Sequence, residues 1–461
     1  MIKYLLVDRF LIRIQVPFSC VVMEIHLSKR RLIAGFLAFA LLIMFYAGYS
    51  FLSESGMDED HPQDIVLITV DTLRADYIDC EDDYNNTPNM CDLKEDSTYF
   101  EHAYTPSSYT MPAMAGVMTG KYPWKVDMVD FHTSYLPEDV ETLPEKLDGM
   151  GYHNVGVYEI AAVSPEYGFD RGFDVYEENH VHPVEPDYSL DGTMDLPVDH
   201  LERDQTRRFT YFHLFGPHQP FRGSQECLEF SLRLKDEEPV DVYDADNKSD
   251  FSKKQAEECY REAVSFSDKR VGKIIESLEN NERYEDSLII LTSDHGEGLW
   301  DNEIFTHTWS TYQEQLHVPL YVKYPNSDTS NRVDGSYARL IDIKPAILCY
   351  LDSDKQDPLK EVSKGNKTIE KFKAISADSK AVVKEDMKLI QNFRHDLGDE
   401  LYNITKDPYE ENNLYDDQDS HSLKELMPEV ELQIEREEDS NEEEKHEEAL
   451  IDQLKELGYL N

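Results

Sequence analysis

Seven residues of this chain have types that can do chemistry together: Asp71, Thr110, His213, His218, Asp294, His295 and His307. Carboxylates and imidazoles joined by one hydroxyl suit a hard or borderline divalent cation such as Mg²⁺, Ca²⁺, Mn²⁺ or Zn²⁺. Thr110 stands where a loop becomes an apolar run with helical spacing. Pro112 suits the first turn of that helix, because its missing N–H would be unpaired there, and Gly120 suits the end. A hydroxyl at a helix start faces unpaired N–H groups and the positive end of the helix dipole, a good place to hold an anion. The plain alternative is an N-capping threonine. A free hydroxyl is a poor nucleophile near neutral pH; coordination lowers its pKa and aims its oxygen. The histidines would then bind the other oxygens of an oxyanion or protonate a leaving group.

The flanking segments explain how such residues would meet. Residues 64–71 form an apolar, β-branched run that reads as a buried strand ending on Asp71. Carboxylates at the ends of parallel strands are where α/β folds place their chemistry, although an Asp there also caps helices. Residues 142–150 read as a helix, 153–159 as a strand, and 208–215 as a strand running into Gly216-Pro217-His218. Segment 224–248 reads as an acidic surface excursion and 251–279 as an amphipathic helix. Strands follow at 287–294 and 317–324. The alternation predicts an α/β fold with a mostly parallel central sheet sandwiched by helices, over a catalytic domain 64–353. From 354 the pattern changes to short strands. Residues 354–461 read as a small C-terminal α+β subdomain with an acidic helical tail.

Composition narrows the partners. With 45 Lys+Arg against 94 Asp+Glu, the 461-residue chain carries a net charge of −49. That excludes nucleic acid, which needs a basic patch, and points to a halophile, where salt screens self-repulsion. The apolar run 32–52 spans about 31 Å as a helix, enough to cross a bilayer. Basic residues precede it and acidic ones follow. This predicts a single-pass cell-membrane protein with an extracellular catalytic domain, a cytoplasmic segment 1–31 (the true start being possibly Met23) and a linker 53–63. A cleaved signal peptide is the rival reading. By proximity in sequence, Cys80 would pair with Cys91 and Cys227 with Cys259, while Cys349 reads as a buried thiol.

The chain resembles the sulfatase family of the alkaline phosphatase superfamily, in a haloarchaeal-type, membrane-anchored form. The likeness rests on ITVDTLRADY (68–77), TMPAMAGVMTGKYP (110–123), GFDRGFD (168–174), GPHQPF (216–221), SDHGEG (293–298), YQEQLHVPLYV (312–322) and ELYNITKDPYEENNL (400–414), all in family order. The resemblance implies one divalent metal ion held by Asp71, Asp294 and His295, with Thr110 as metal-bound nucleophile. It implies His218 and His213 against the oxygens of a sulfate or phosphate, and His307 near the leaving group. The departures are Thr110 where the family converts a Cys or Ser to formylglycine, Met114 where a basic residue is usual, and Thr72 for the second Asp of a common pair. Formylglycine is therefore not expected. Threonine nucleophiles occur in phosphodiesterases and in phosphoglycerol or phosphoethanolamine transferases of the superfamily. The resemblance thus implies a metal-dependent hydrolase of sulfate or phosphate esters, on a sulfated or phosphorylated glycan or lipid. The alternatives are a phosphodiesterase or such a transferase, and a non-catalytic surface binding module with the same fold.

Overall fold

The structure, a computed structural model, describes residues 9–14, 23–28 and most of 62–428. Residues 81–85, 130–133, nearly all of 180–206, 237–249, 327–331, nearly all of 353–371, 394–396, 416 and 429–461 lie outside the described residues. So do the apolar run 32–52, nearly all of the linker 53–63 and the acidic tail. The chain divides into two units, 1–61 and 62–461. In the first, β1 (Arg9–Ile14) and β2 (Met23–Ser28) form an antiparallel pair.

Among the described residues no helix is long and apolar enough to cross a membrane. A single-pass protein with membrane association through 32–52 and an extracellular catalytic domain is not supported, and that placement is not carried further.

The second unit is built on an eight-stranded sheet ordered β12-β4-β11-β8-β3-β7-β5-β6. Its strands are β3 (Asp64–Val70), β4 (Thr98–Tyr104), β5 (His153–Tyr158), β6 (Val175–Glu178), β7 (Arg208–Leu214), β8 (Ser287–Thr292), β11 (Leu320–Lys323) and β12 (Arg332–Arg339). β11 alone runs antiparallel to its neighbours. β3 is buried throughout because both sheet faces are covered. Ile65 and Leu67 enter one apolar cluster, and Val66, Ile68 and Val70 enter the other. β8 splits its residues the same way. Each fully buried aliphatic side chain stabilises the fold by about 1.5–3 kcal/mol.

Helices close both faces. Before the site come α1 (Pro88–Glu95), α2 (Thr110–Thr119) and α3 (Leu143–Asp148), the last starting with a Thr142/Glu145 capping box. α4 (Gln225–Asp236) occupies part of the expected excursion, and α5 (Asp250–Asn280) packs on the second face through Cys259, Tyr260, Ala263 and Ile274. A short pair, β9 (Gly298–Leu299) and β10 (Phe305–Thr306), precedes α6 (Gln313–Leu316). α6 takes the start of the run 312–322, and the strand that follows, Leu320–Lys323, is shorter than the predicted 317–324. α7 (Ile343–Asp352) lies against α2 on the first face. β13 (Phe372–Ile375), β14 (Ser379–Lys384), β15 (Met387–Asn392) and β16 (Glu400–Asn403) then make an antiparallel sheet, followed by α8 (Asp417–Lys424). This small sheet is tied to the loop before α2, since Ile375 exchanges backbone bonds with Pro106 and Ser108. Cys80–Cys91 and Cys227–Cys259 are disulfides; Cys349 is half-buried rather than buried.

Candidate active site

Three adjacent parallel strands end side by side. β3 lies between β7 and β8, so Asp71, His213 and Asp294 come to the same edge of the sheet. The Asp71 amide donates to the Leu214 carbonyl at 3.0 Å, extending that pairing past the strand end. Gly216 follows because a Cβ there would stand 2.6 Å from the Asp71 carbonyl oxygen. α2 then delivers Thr110 from the other side. It begins at Thr110 and ends at Gly120 in the left-handed conformation, as the spacing predicted.

Asp71, Asp294 and His295 each offer a ligand atom within 4.8 Å of the others, and all three are fully buried. Both Asp71 carboxylate oxygens, Asp294 Oδ2 and His213 Nε2 are buried without a hydrogen-bond partner. Such groups cost free energy unless something compensates them. Burial, and then the neighbouring Asp294, push the Asp71 carboxyl above its ordinary range, against His213 and His295. Burial acts on Asp294 too, but His295, His213, the Thr110 hydroxyl and the Thr72 amide (3.1 Å) hold it below the usual value. His295 Nδ1 donates to the Gly296 carbonyl at 2.9 Å, which leaves Nε2 as a lone pair. Nε2 lies 3.4 Å from Asp294 Oδ2 and 4.0 Å from Asp71 Oδ1. A divalent cation fits this donor set: two buried carboxylates and one oriented imidazole, with both Asp71 oxygens and Asp294 Oδ2 unsatisfied.

The remaining predicted residues gather around it. Thr110 Oγ1 is 3.2 Å from His295 Nε2. His213 is fully buried, with Nε2 3.6 Å from Asp71 Oδ2. Its Nδ1 lies 2.8 Å from Thr69 Oγ1 and 3.0 Å from the Tyr211 hydroxyl. It sits against Asp71 rather than in an open space. Burial lowers its pKa, but Asp71 and Asp294 raise it more. The His307 ring is 4.5 Å from that of His295 and 4.8 Å from that of His218. His218 Nδ1 donates to the Gln219 carbonyl. All seven residues therefore share one site.

Sequence reasoning did not assign Glu297, which is fully buried and accepts from His307 Nδ1 at 3.2 Å. Burial lowers the His307 pKa, and Glu297 raises it above the ordinary value. The signal was available, since Glu297 lies inside SDHGEG. Thr72 has φ of 58°, an unusual conformation for a β-branched residue, and contributes its amide to Asp294. Met114 points into the apolar core with no exposed surface.

Comparison with known proteins agrees. The Sulfatase family model matches residues 63–353. An uncharacterized sulfatase, YidJ, of Escherichia coli K12 is 24% identical over 436 residues, covering 76% of this chain and 83% of its own. An N-acetylglucosamine-6-O-sulfatase of Bacteroides thetaiotaomicron is 22% identical, covering 71% and 78%. Among solved structures, phosphonate monoester hydrolase of Agrobacterium radiobacter matches with a TM-score of 0.63 at 18% identity, covering 79% of this chain and 94% of that one. A protein solved with its substrate D-glucosamine-2-N,6-O-disulfate gives 0.63 at 17%, covering 79% and 96%. With the family model spanning well over half of the chain, the protein belongs to the sulfatase family of the alkaline phosphatase-like superfamily, a family of ester hydrolases.

Proposed function

We propose that this chain is a metal-dependent hydrolase of sulfate or phosphate esters with Thr110 as its nucleophile. The observation that carries this reading is the Thr110 hydroxyl 3.2 Å from His295 Nε2, at a helix start beside the buried, unpartnered oxygens of Asp71 and Asp294. Enzymes of the family use a metal ion. Here Asp71, Asp294, His295 and Thr110 would hold it. A divalent cation bound there would supply Lewis acidity and neutralise charge on the transferred group.

The chain's own residues account for the rest. Thr110 Oγ1, its proton given up to solvent, attacks sulfur or phosphorus, forming a covalent ester as the bond to the leaving oxygen breaks. His307, oriented by Glu297, gives a proton to that oxygen. His218, beside His307, binds the group's other oxygens. His213 steadies Asp71. Water then cleaves the threonine ester. Threonine carries a methyl on Cβ and cannot yield the formylglycine aldehyde, so direct attack is the chemistry open to this chain. The same threonine favours a second reading: a phosphodiesterase, in which water displaces the threonine from the phosphorus of a former diester, or a transferase, in which an alcohol displaces it. A sulfated or phosphorylated glycan or lipid is the proposed substrate, in keeping with the sulfated-sugar names among the relatives. The −49 charge supports high salt as the working medium.

The test compares 4-nitrophenyl sulfate, 4-nitrophenyl phosphate and bis(4-nitrophenyl) phosphate in high salt with each divalent metal, using the wild type and Thr110→Ala. Turnover that needs metal and falls at least 1,000-fold in the variant supports the reading. Turnover unchanged in Thr110→Ala refutes the nucleophile. Metal binding with no turnover of any ester favours the binding module.

A further inference from the structure

Beyond the reacting centre lies a cluster of donors with too few acceptors. Glu159, just past the end of β5, has a carboxylate that is 1% exposed and fully used. It accepts from Arg270 Nη1 at 2.8 Å and from Arg270 Nη2, from the Phe215 amide at 2.7 Å, and from Asn179 Nδ2 at 2.6 Å. Arg222 stands near it but takes no share. Its Nε and Nη1 are buried without a hydrogen-bond partner, as are Gln219 Nε2 and Arg270 Nε. Two guanidiniums thus face one saturated carboxylate. Burial pushes the Arg222 pKa down to about 10, with Glu159 and Asp71 opposing and Arg270 adding to the fall, so it stays cationic at neutral pH. Buried guanidinium N–H groups left unpaired are costly, and an anion satisfies them.

The cluster adjoins the site. The Arg222 guanidinium carbon sits 3.9 Å over the Phe215 ring. The Phe215 ring is 4.9 Å from His218, and His218 is 4.8 Å from His307. An unbroken run of rings therefore joins Arg222 to the residues around Thr110, and the same loop carries His218, Gln219 and Arg222.

We propose that Arg222 and Gln219, backed by Arg270, form an anion subsite that takes a second anionic group carried by the substrate next to the ester under attack. The group is a carboxylate, sulfate or phosphate, each able to accept two N–H bonds from a guanidinium. This rests on the hydrolase reading above and narrows its substrates to esters bearing a further anion, such as acidic glycans.

The experiment uses the metal-loaded full chain with 4-nitrophenyl sulfate and 3-carboxy-4-nitrophenyl sulfate, and with the corresponding phosphates. The readout is the ratio of kcat/KM between the carboxylated and plain esters. The wild type should favour the carboxylated ester by about tenfold or more. Arg222→Gln should bring the ratio close to one, Gln219→Ala should lower it, and Arg222→Lys should keep part of it. A wild-type ratio near one overturns the subsite. An equal fall for both esters in Arg222→Gln also overturns it, because Arg222 would then serve the reacting group itself. Calorimetric binding of both esters to Thr110→Ala, with and without Arg222→Gln, separates the two claims. A binding preference lost with Arg222, in a chain that turns over no ester, keeps the subsite and removes the hydrolase reading. Turnover without discrimination does the reverse.

Discussion

Gly296→Ala is a sharp test of how this site is held. Gly296 follows His295, and its carbonyl accepts the His295 Nδ1 proton at 2.9 Å. Its amide donates to the Gln315 carbonyl at 2.9 Å. A Cβ at 296 would stand 2.0 Å from the carbonyl oxygen of Glu314 and 3.0 Å from its carbonyl carbon. An ordinary contact is about 3.5 Å, so the two backbones must part by about 1.5 Å. Neither is a flexible side-chain end: Gly296 belongs to the loop that carries Asp294 and His295, and Glu314 to α6. A displacement of about 1 Å at a reacting group costs about 100-fold in rate. The variant should therefore lose at least 100-fold in kcat/KM and bind divalent metal more weakly by calorimetry. Overpacking should cost about 1–3 kcal/mol of stability. Gly335→Ala is the control, because its Cβ would meet only Glu101 Oε2 at 3.5 Å. A Gly296→Ala chain with wild-type metal affinity and turnover would refute the claim that this backbone contact positions His295.

Three further outcomes are expected. Asp71→Asn removes one of two neighbouring buried carboxylates, the one with neither oxygen hydrogen-bonded, so the metal-free chain should melt higher by a few degrees. The same variant should lose the stabilisation that the wild type gains from divalent metal, about 2.7 kcal/mol at 100 times Kd, as read by thermal unfolding. Burial, with Asp301 and Glu410 nearby, raises the Glu314 pKa from 4.5 to about 8, so the folded state binds its proton more tightly than the unfolded state. That contribution is complete below the unfolded pKa and is lost as pH rises to about 8. Denaturant unfolding should show stability falling by up to about 4 kcal/mol between pH 5 and 8, and Glu314→Gln should remove most of that slope. A slope unchanged in the variant would place the titration elsewhere.

Most of the site was legible because it lies at the ends of strands that advertise themselves. The runs before Asp71 and Asp294 are apolar on both faces, and a run of that kind reads the same whichever residue faces which layer. Thr110 was legible because Pro112 and Gly120 bracket its helix. β4 and β12 were not, because Thr98–Tyr104 and Arg332–Arg339 mix charged and aromatic residues. β12 is an edge strand, open on one side, and needs no apolar run. The helix Gln225–Asp236 hid because Glu226, Glu229 and Asp236 continue the acidic composition around it. Glu159 and Arg270 escaped for a different reason. They are 111 residues apart, and nothing in local spacing shows that a strand end and the middle of α5 meet.

The departures from the family pattern make physical sense together. Met114 lies wholly in the apolar core, so α2 brings no cation to the nucleophile. The guanidiniums of Arg222 and Arg270 stand beyond Phe215, away from Thr110. At position 72 the usual carboxylate is absent, yet the backbone still serves the site. Held at φ of 58°, Thr72 turns its amide to Asp294 and its carbonyl to the Tyr260 hydroxyl at 2.6 Å. A β-branched residue in that conformation costs about 1–3 kcal/mol and persists only where its surroundings fix it. Here Tyr260 is fixed by the core of α5, and its hydroxyl also accepts the Arg74 amide at 3.0 Å. One fewer carboxylate in the cage also leaves less negative charge to compensate before a cation arrives. On the proposed reading, an anionic ester would meet Thr110 and the two buried aspartates at one end of the run of rings, and the guanidiniums of Arg222 and Arg270 at the other.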